Sequence, residues 1–316
     1  MLAEVVRSGF REGVHRGSVV GLGADGTVVL RAGHPQARIF PRSASKPLQA
    51  AAMLELGLDL DGELLALAAS SHSGEPFHLD GVRRVLAAAG LDEHALQNPA
   101  EDPFDPTTAR AWTLAGHDPE PITMNCSGKH AAMLATCVVN GWDTSSYLDP
   151  GHPLQTAVRA AVERFAGEGV TATGVDGCGA PLFGLTLVGL ARAVRGCVLA
   201  ESGSARRRVV DAMRAHPEWV GGTCRDVTAL MRGVPGLVAK DGAEGVSVAA
   251  MADGRTVAVK IDDGAARARQ VVTAEALRAM GVDAPVVQEQ RGLPLSGGGR
   301  QVGEVRPLPL GQLRST

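Results

Sequence analysis

Residues 18–30 read SVVGLGADGTVVL. Two short β-branched runs, 18–22 and 27–30, flank Ala24-Asp25-Gly26, and Asp-Gly between such runs is a strong hairpin signal. Gly33-His34-Pro35 then breaks the pattern, and from Ser43 onward the apolar period changes. Ser43 is placed to cap a helix through Leu48, Ala51, Met53 and Leu54 to Gly57, with Pro47 tolerated in its first turn. Helical patterns follow at residues 64–70, 79–90, 107–114, 129–140, 153–165, 182–194 and 205–215, the last ended by His216-Pro217. Strand patterns return at 236–240, 245–251 and 256–261, and a helix over 265–280 precedes a terminal strand at 303–306. Strands thus open and close the chain while helices fill its middle. This predicts an α+β fold: an antiparallel sheet from both chain ends, flanked by helices, with a helical region over roughly 63–232 inside one domain, 1–316. A parallel sheet would alternate strands with helices throughout.

The composition agrees with a folded enzyme-sized chain. Of 316 residues 45% are apolar, and the formal net charge is −3, which offers no electrostatic reason to expect nucleic acid or an anionic membrane as partner. The first seventeen residues mix acidic and basic side chains and do not read as a secretory signal. The most apolar window, 181–194, is interrupted by Arg192 and is too short to span a bilayer. Cys126, Cys137, Cys178, Cys197 and Cys224 form an odd, scattered set, so reduced thiols and a cytoplasmic location are expected. Cys137 and Cys197 sit in apolar helical contexts and are expected in the core. No GxGxxG or GxxxxGK[ST] occurs where a nucleotide site would need it.

Five segments carry chemistry. In Arg42-Ser43-Ala44-Ser45-Lys46, Ser43 and Lys46 stand three apart at a helix start, on one face. A serine hydroxyl needs a base at neutral pH, and a desolvated lysine can serve; the helix N-terminus favours negative charge developing on Ser43. Ser70-Ser71-His72-Ser73-Gly74-Glu75 crowds polar groups behind an apolar helix, as a pocket wall does or as a helix C-terminus rich in capping groups does. Asn125-Cys126-Ser127-Gly128-Lys129-His130 opens an Ala-rich helix. Asp176-Gly177-Cys178-Gly179-Ala180-Pro181 is a glycine turn that lets backbone approach a ligand, and Val238-Ala239-Lys240-Asp241-Gly242-Ala243-Glu244-Gly245 delivers Lys240 from a strand into a turn.

Taken in order, R-S-A-S-K-P, S-S-H-S-G-E-P, N-C-S-G-K-H, D-G-C-G-A-P and V-A-K-D-G-A-E-G resemble the Rhizobium-type L-asparaginases, and the resemblance covers nearly the whole chain. It implies a fold akin to serine β-lactamases and penicillin-binding proteins, assembled as a homodimer. It implies two serine–lysine pairs, Ser43 with Lys46 and Ser71 with Lys240. It also implies an auxiliary zinc ion on Cys126, Lys129 and Cys178, and a substrate pocket that includes Arg42 and Asp176, to which His72 and Lys129 are added. Two thiolates are good zinc ligands, while a lysine amine must lose its proton before it coordinates.

The implied reaction is hydrolysis of the side-chain amide of L-asparagine by double displacement. Ser43 is the favoured nucleophile, and Ser71 with Lys240 relays protons or polarises the site, roles that are open to exchange. Arg42 suits the α-carboxylate, which a guanidinium grips through two bonds, and Asp176 suits the α-ammonium. A serine amidohydrolase acting on glutamine, a lactam or a peptide would use the same groups, and a non-catalytic zinc- or amino-acid-binding protein would need only the cysteine–lysine cluster. The single tyrosine, Tyr147, receives no catalytic role.

Overall fold

The computed structural model describes residues 1–311; residues 312–316, the end of the expected single domain, lie outside the described residues. Five strands come first: Ala3–Arg7 (β1), Phe10–His15 (β2), Gly17–Leu22 (β3), Val28–Ala32 (β4) and Arg38–Ile39 (β5). A 3-10 turn, Arg42–Ser45, runs into helix Lys46–Glu55 (α1). Helices Gly62–Ala68 (α2), Pro76–Ala88 (α3), Pro106–Leu114 (α4), Ser127–Val139 (α5) and Pro153–Ala166 (α6) follow. Next come strands Thr173–Val175 (β6), Pro181–Phe183 (β7) and Leu185–Thr186 (β8), then helices Leu187–Val198 (α7), Ala205–Ala215 (α8), Pro217–Val220 (α9) and Asp226–Gly233 (α10). Strands Val238–Gly242 (β9), Val246–Ala250 (β10) and Thr256–Ile261 (β11) precede helices Ala266–Ala279 (α11) and Pro285–Glu289 (α12), and the hairpin Leu293–Gly297 (β12) with Arg300–Pro307 (β13) closes the chain.

The chain divides into two compact units. The first holds Met1–Ala44, Leu185–Leu199 and everything described from Ala229 onward. Here the expected antiparallel sheet from both chain ends is found, as two sheets, in the orders β4-β3-β11-β10-β9 and β12-β13-β1-β2. β1 pairs antiparallel with β13, and β3 pairs antiparallel with β11. Every residue of β10 is buried, so the strand reads as a continuous run rather than an alternating one. The reason is cover on both faces: α7 packs on β3, β10 and β11, while α11 packs on β10 and β11 and also on β1 and β13. The one hydroxyl in β10, Ser247, is paired 2.6 Å from Thr273 Oγ1 on α11, so no polar group is stranded in that layer.

The second unit holds Ser45–Gly184 and Ala200–Thr228 and is the helical region. Its centre is α1, buried from residue 46 to 54, and α5, buried from 127 to 137. α1 packs on α2, α5, α6 and α8, and α5 packs also on α2, α3 and α6. Each buried leucine or methionine in these helices contributes roughly 1.5–3 kcal/mol. No helix among the described residues is long and apolar enough to cross a membrane.

Three local expectations are corrected. Ser43 does not cap α1: it lies inside the 3-10 turn, Ser45 occupies the cap position, and no side chain makes a capping bond there. The pattern at 182–194 is not one helix, because Pro181–Phe183 pairs with Thr173–Val175 and Leu185–Thr186 pairs with Arg38–Ile39. The helix starts only at Leu187, where Thr186 Oγ1 accepts from Gly189 N at 2.8 Å. A continuous apolar run carries no period, so the cap decided its boundary. β12 was unforeseen because Pro294 interrupts it, which the sheet tolerates at its edge.

Candidate active site

In the first unit, the end of β9 closely approaches the turn around Ser43. A Cβ on Gly242 would stand 2.8 Å from Pro41 O, 3.0 Å from Ala44 N and 3.2 Å from Ser43 N. Only a residue without a side chain lets these backbones approach so closely. Ser43 is half-buried. Lys240, 1% exposed, donates to Asp241 O at 2.7 Å and to Asp241 Oδ1 at 3.0 Å. Arg42 and Glu244 are both left-handed, with φ of 49° and 58°, and their side chains approach to 3.9 Å. Two non-glycine residues in this region beside one serine mark a strained, defined turn.

In the second unit, the segments around Ser71, Cys126 and Cys178 converge on α1. Gly128 is the reason α5 can do this: a Cβ there would stand 2.6 Å from Leu67 O of α2. The close approach sets the start of α5 beside the end of α2, where Ser70 and Ser71 follow. Lys46, 1% exposed, donates to Ser70 O at 2.5 Å and lies 3.1 Å from Ser71 Oγ and 3.0 Å from Cys126 Sγ. So the lysine that the spacing assigns to Ser43 makes its hydroxyl contact with Ser71. Lys240, the expected partner of Ser71, belongs to the first unit and is bonded to Asp241.

Cys126 and Cys178 lie in one buried cluster with Met124 and Ala180. Lys129 Nζ is 3.0 Å from Cys178 Sγ. The two thiols titrate as a pair: the hydrogen bond between them and burial hold Cys126 well above the ordinary thiol range. That same bond, with Lys129 and His130 and against burial, pulls Cys178 far below it. Burial works against the Lys129 ammonium, but the charges on Cys178 and Cys126 outweigh it and hold Lys129 above its ordinary value. Two thiols and one amine gathered around a buried point fit the donor chemistry of a thiophilic cation such as zinc. Among the described residues, no group of three or more histidine, cysteine, aspartate or glutamate side chains offers a different metal site.

Asp176 is half-buried in the glycine turn, its Oδ1 accepting from Gly177 N at 2.9 Å and its Oδ2 4.0 Å from Cys178 Sγ. His72 is fully buried with both ring nitrogens engaged: Nδ1 accepts from Gly74 N at 3.1 Å, so Nε2–H donates to Ser127 Oγ at 2.8 Å. It braces the start of α5 and presents no free nitrogen. Burial, then the charges of His78 and Lys46, keeps it neutral and well below the usual histidine range.

The sequence reading gave Tyr147 no catalytic role and assigned none to His130. His130 Nδ1 lies 2.7 Å from Tyr147 Oη, and both side chains are fully buried. The signal was present, since His130 follows Lys129 directly and Tyr147 is the chain's single tyrosine. Of the remaining thiols, Cys137 and Cys197 are buried as expected and Cys224 is exposed; none of the five forms a disulfide.

The L-asparaginase II family model matches residues 3–307. No curated protein matches the sequence. Among solved structures, a β-lactamase from Mycobacterium bovis is similar at 13% identity and a TM-score of 0.48, over 84% of this chain and 95% of that one. Mglu in its tris and glutamate form is similar at 15% identity and a TM-score of 0.37, over 87% of this chain and 63% of that one.

Proposed function

We propose that this chain, which belongs to the L-asparaginase II family of amidohydrolases, hydrolyses L-asparagine to L-aspartate and ammonia by serine–lysine catalysis. The observation that carries the reading is the buried Lys46 amine 3.1 Å from Ser71 Oγ. Nζ has three partners: Ser70 O, Cys126 Sγ and Ser71 Oγ. As an ammonium it donates to all three. As a neutral amine it donates to the first two, and its lone pair faces the hydroxyl proton of Ser71. The pocket therefore supports either protonation state, as a lysine base requires.

We assign the attack to Ser43. It is half-buried where Ser71 is 8% exposed, and it follows the strained Arg42 on the turn that runs into Lys46. Ser43 Oγ adds to the side-chain amide carbon while its proton passes to Lys46. Lys46 returns the proton to the departing ammonia, leaving a β-aspartyl ester on Ser43. Water, deprotonated by Lys46, adds to that ester, and Ser43 leaves with the proton as aspartate forms. Lys240 with Asp241 supplies a buried ion pair in the first unit. Arg42 takes the α-carboxylate and Asp176 the α-ammonium, while Lys129 adds positive charge only when it is protonated and holds no zinc.

Cys126, Cys178 and Lys129 would hold zinc, which when bound supplies a fixed positive charge that tunes substrate affinity. Five cysteines without a disulfide suit a reducing, cytoplasmic location, and assembly as a homodimer is retained from the resemblance.

The test is ammonia release from L-asparagine and L-glutamine by the intact protein and by Ser43→Ala and Ser71→Ala. Selective turnover of asparagine, lost in both variants, supports the reading. An acyl group trapped on Ser71 would overturn the choice of Ser43, and folded, zinc-loaded protein inert on both amides would overturn the substrate.

A further inference from the structure

We infer that Glu75 is a positioning residue for Ser71: through Thr223 its carboxylate clamps residues 217–223 alongside residues 71–78, and so holds the Ser71 hydroxyl at Lys46. The inference deepens the serine–lysine reading and rests on it for its kinetic consequence. Residues 70–75 form no helix or strand, so neighbours rather than a ladder of their own must fix the place of Ser71. One set of neighbours is Lys46, which reaches Ser70 O and Ser71 Oγ, and Asn125, whose carbonyl accepts from His72 N at 3.0 Å.

The other set is a single segment that takes bonds from alternate residues. Ser71 N donates to Val220 O at 2.9 Å, and Ser73 Oγ donates to Gly221 O at 2.8 Å. Thr223 N and Oγ1 then donate to Glu75 Oε2 and Oε1, at 2.9 and 2.7 Å. His78 adds to the seam: its Nδ1 accepts from Glu75 N at 3.1 Å, so Nε2–H donates to Glu218 O at 3.0 Å. Gly222 lets the two segments lie this close. Its φ is 126°, and a Cβ there would stand 2.1 Å from Ser73 Oγ and 2.9 Å from Glu75 Oε2.

Within the seam, Glu75 is the only carboxylate acceptor, and bonds to a charged group are roughly twice as strong as neutral ones. Ser71 and Ser73 are buried, whereas Thr223 is exposed. Thr223 therefore fills no core, and its hydroxyl and N–H both serve one carboxylate. Releasing that end frees residues 220–223 to move, and the Val220 carbonyl that holds the Ser71 backbone moves with them.

The experiment compares full-length Thr223→Val, Thr223→Ser and Glu75→Gln with wild type, in asparagine kinetics and in amide hydrogen exchange of the peptide carrying residues 70–75. Thr223→Val keeps the volume and loses the hydroxyl. It is expected to lower kcat roughly tenfold with KM within about twofold, because a displaced Ser71 costs chemistry rather than binding. Exchange at residues 70–75 should quicken by roughly tenfold in the same variant. Thr223→Ser keeps the hydroxyl, and Glu75→Gln accepts from Thr223 N through its amide oxygen while its N–H meets Thr223 Oγ1. Both are expected to hold kcat within about threefold of wild type. If Glu75→Gln fails to fold, the two Thr223 variants carry the same expectation. Wild-type kcat in folded Thr223→Val, or an equal loss in Thr223→Ser, would overturn the inference. Wild-type protein inert on asparagine would overturn the serine–lysine reading instead; exchange then decides the clamp, quickened exchange upholding it and unchanged exchange overturning it.

Discussion

Lys46 reaches out of the first turn of α1 to within 3.1 Å of Ser71 Oγ, 25 residues along the chain, and both side chains are buried. If this amine is the base, Lys46→Met keeps the volume of the stem and removes the proton acceptor. Asparagine turnover should then fall by roughly 100- to 10,000-fold. Lys46→Arg should not restore it, since a guanidinium stays protonated. Ammonia release from proteins with matched circular dichroism checks both.

Gly242→Ala should damage the Ser43 turn from across the hairpin. The added Cβ would meet backbone at 2.8–3.2 Å on three sides, and none of those atoms is the tip of a flexible side chain. The expected cost is about 1–3 kcal/mol of stability. A displaced nucleophile should lower kcat by roughly tenfold or more. An unfolding curve and a kcat measurement on the same variant test this, and wild-type kcat would show that the turn absorbs the methyl.

Acid should destabilise the helical unit before its carboxylates titrate. Burial lowers His78 from 6.5 to about 4, against the pull of the Glu218 carbonyl, and burial lowers His72 well below 6.5. A histidine depressed in the folded state binds its proton more readily when unfolded. Its contribution is therefore complete above pH 6.5 and is lost as pH falls towards the folded value. Each group adds at most about 1.4 kcal/mol per pH unit to the decline. Urea titrations between pH 7 and 4 should show this slope, and His78→Gln should flatten it.

Glu275, on α11, should be the most costly carboxylate to neutralise in the sheet-containing unit. It is 0% exposed, accepts from Arg278 Nε at 2.9 Å and Nη2 at 2.8 Å and from Arg291 Nε at 2.8 Å, and receives Leu310 N at 3.2 Å. Burial raises its pKa, but the Arg278 bond, the Leu310 N–H and both arginine charges outweigh this and hold the carboxyl below 4.5. Glu275→Gln weakens the bonds to Arg278 and Arg291, each about a third exposed and able to turn to water, and should cost about 1–3 kcal/mol at neutral pH. The stability difference from wild type should shrink as pH falls from 4.5 towards the lower folded-state value, because the unfolded chain takes up the carboxyl proton first.

Zinc removal should separate binding from chemistry. If the cation acts only on substrate affinity, chelator-treated protein should show a raised KM for asparagine and a kcat within a few-fold of the loaded enzyme. A kcat that collapses with metal loss would move zinc into the chemistry.

Much of this was legible along the chain. The Asp-Gly hairpin, the return of strands after residue 236 and the Ala-rich helix after Asn125 each carry a local period or turn residue, and each stands where expected. The five polar segments declared themselves by composition, since buried helices seldom place lysine, cysteine and serine together without cause. The boundary at Leu187 and the edge strand around Pro294 did not, because an uninterrupted apolar run has no period and an edge proline imitates a loop.

Sequence alone determined the class of fold, the order of the motifs and the residue types available for catalysis, because these follow from patterns a few residues long. Only the tertiary structure decided that Lys46 meets Ser71, that His72 has no free nitrogen, and that Tyr147 pairs with His130 inside the core. Those outcomes depend on distances between segments 17 to 55 residues apart. Such distances are set by how closely helices pack, as at Gly128, and no periodicity in a linear chain encodes that.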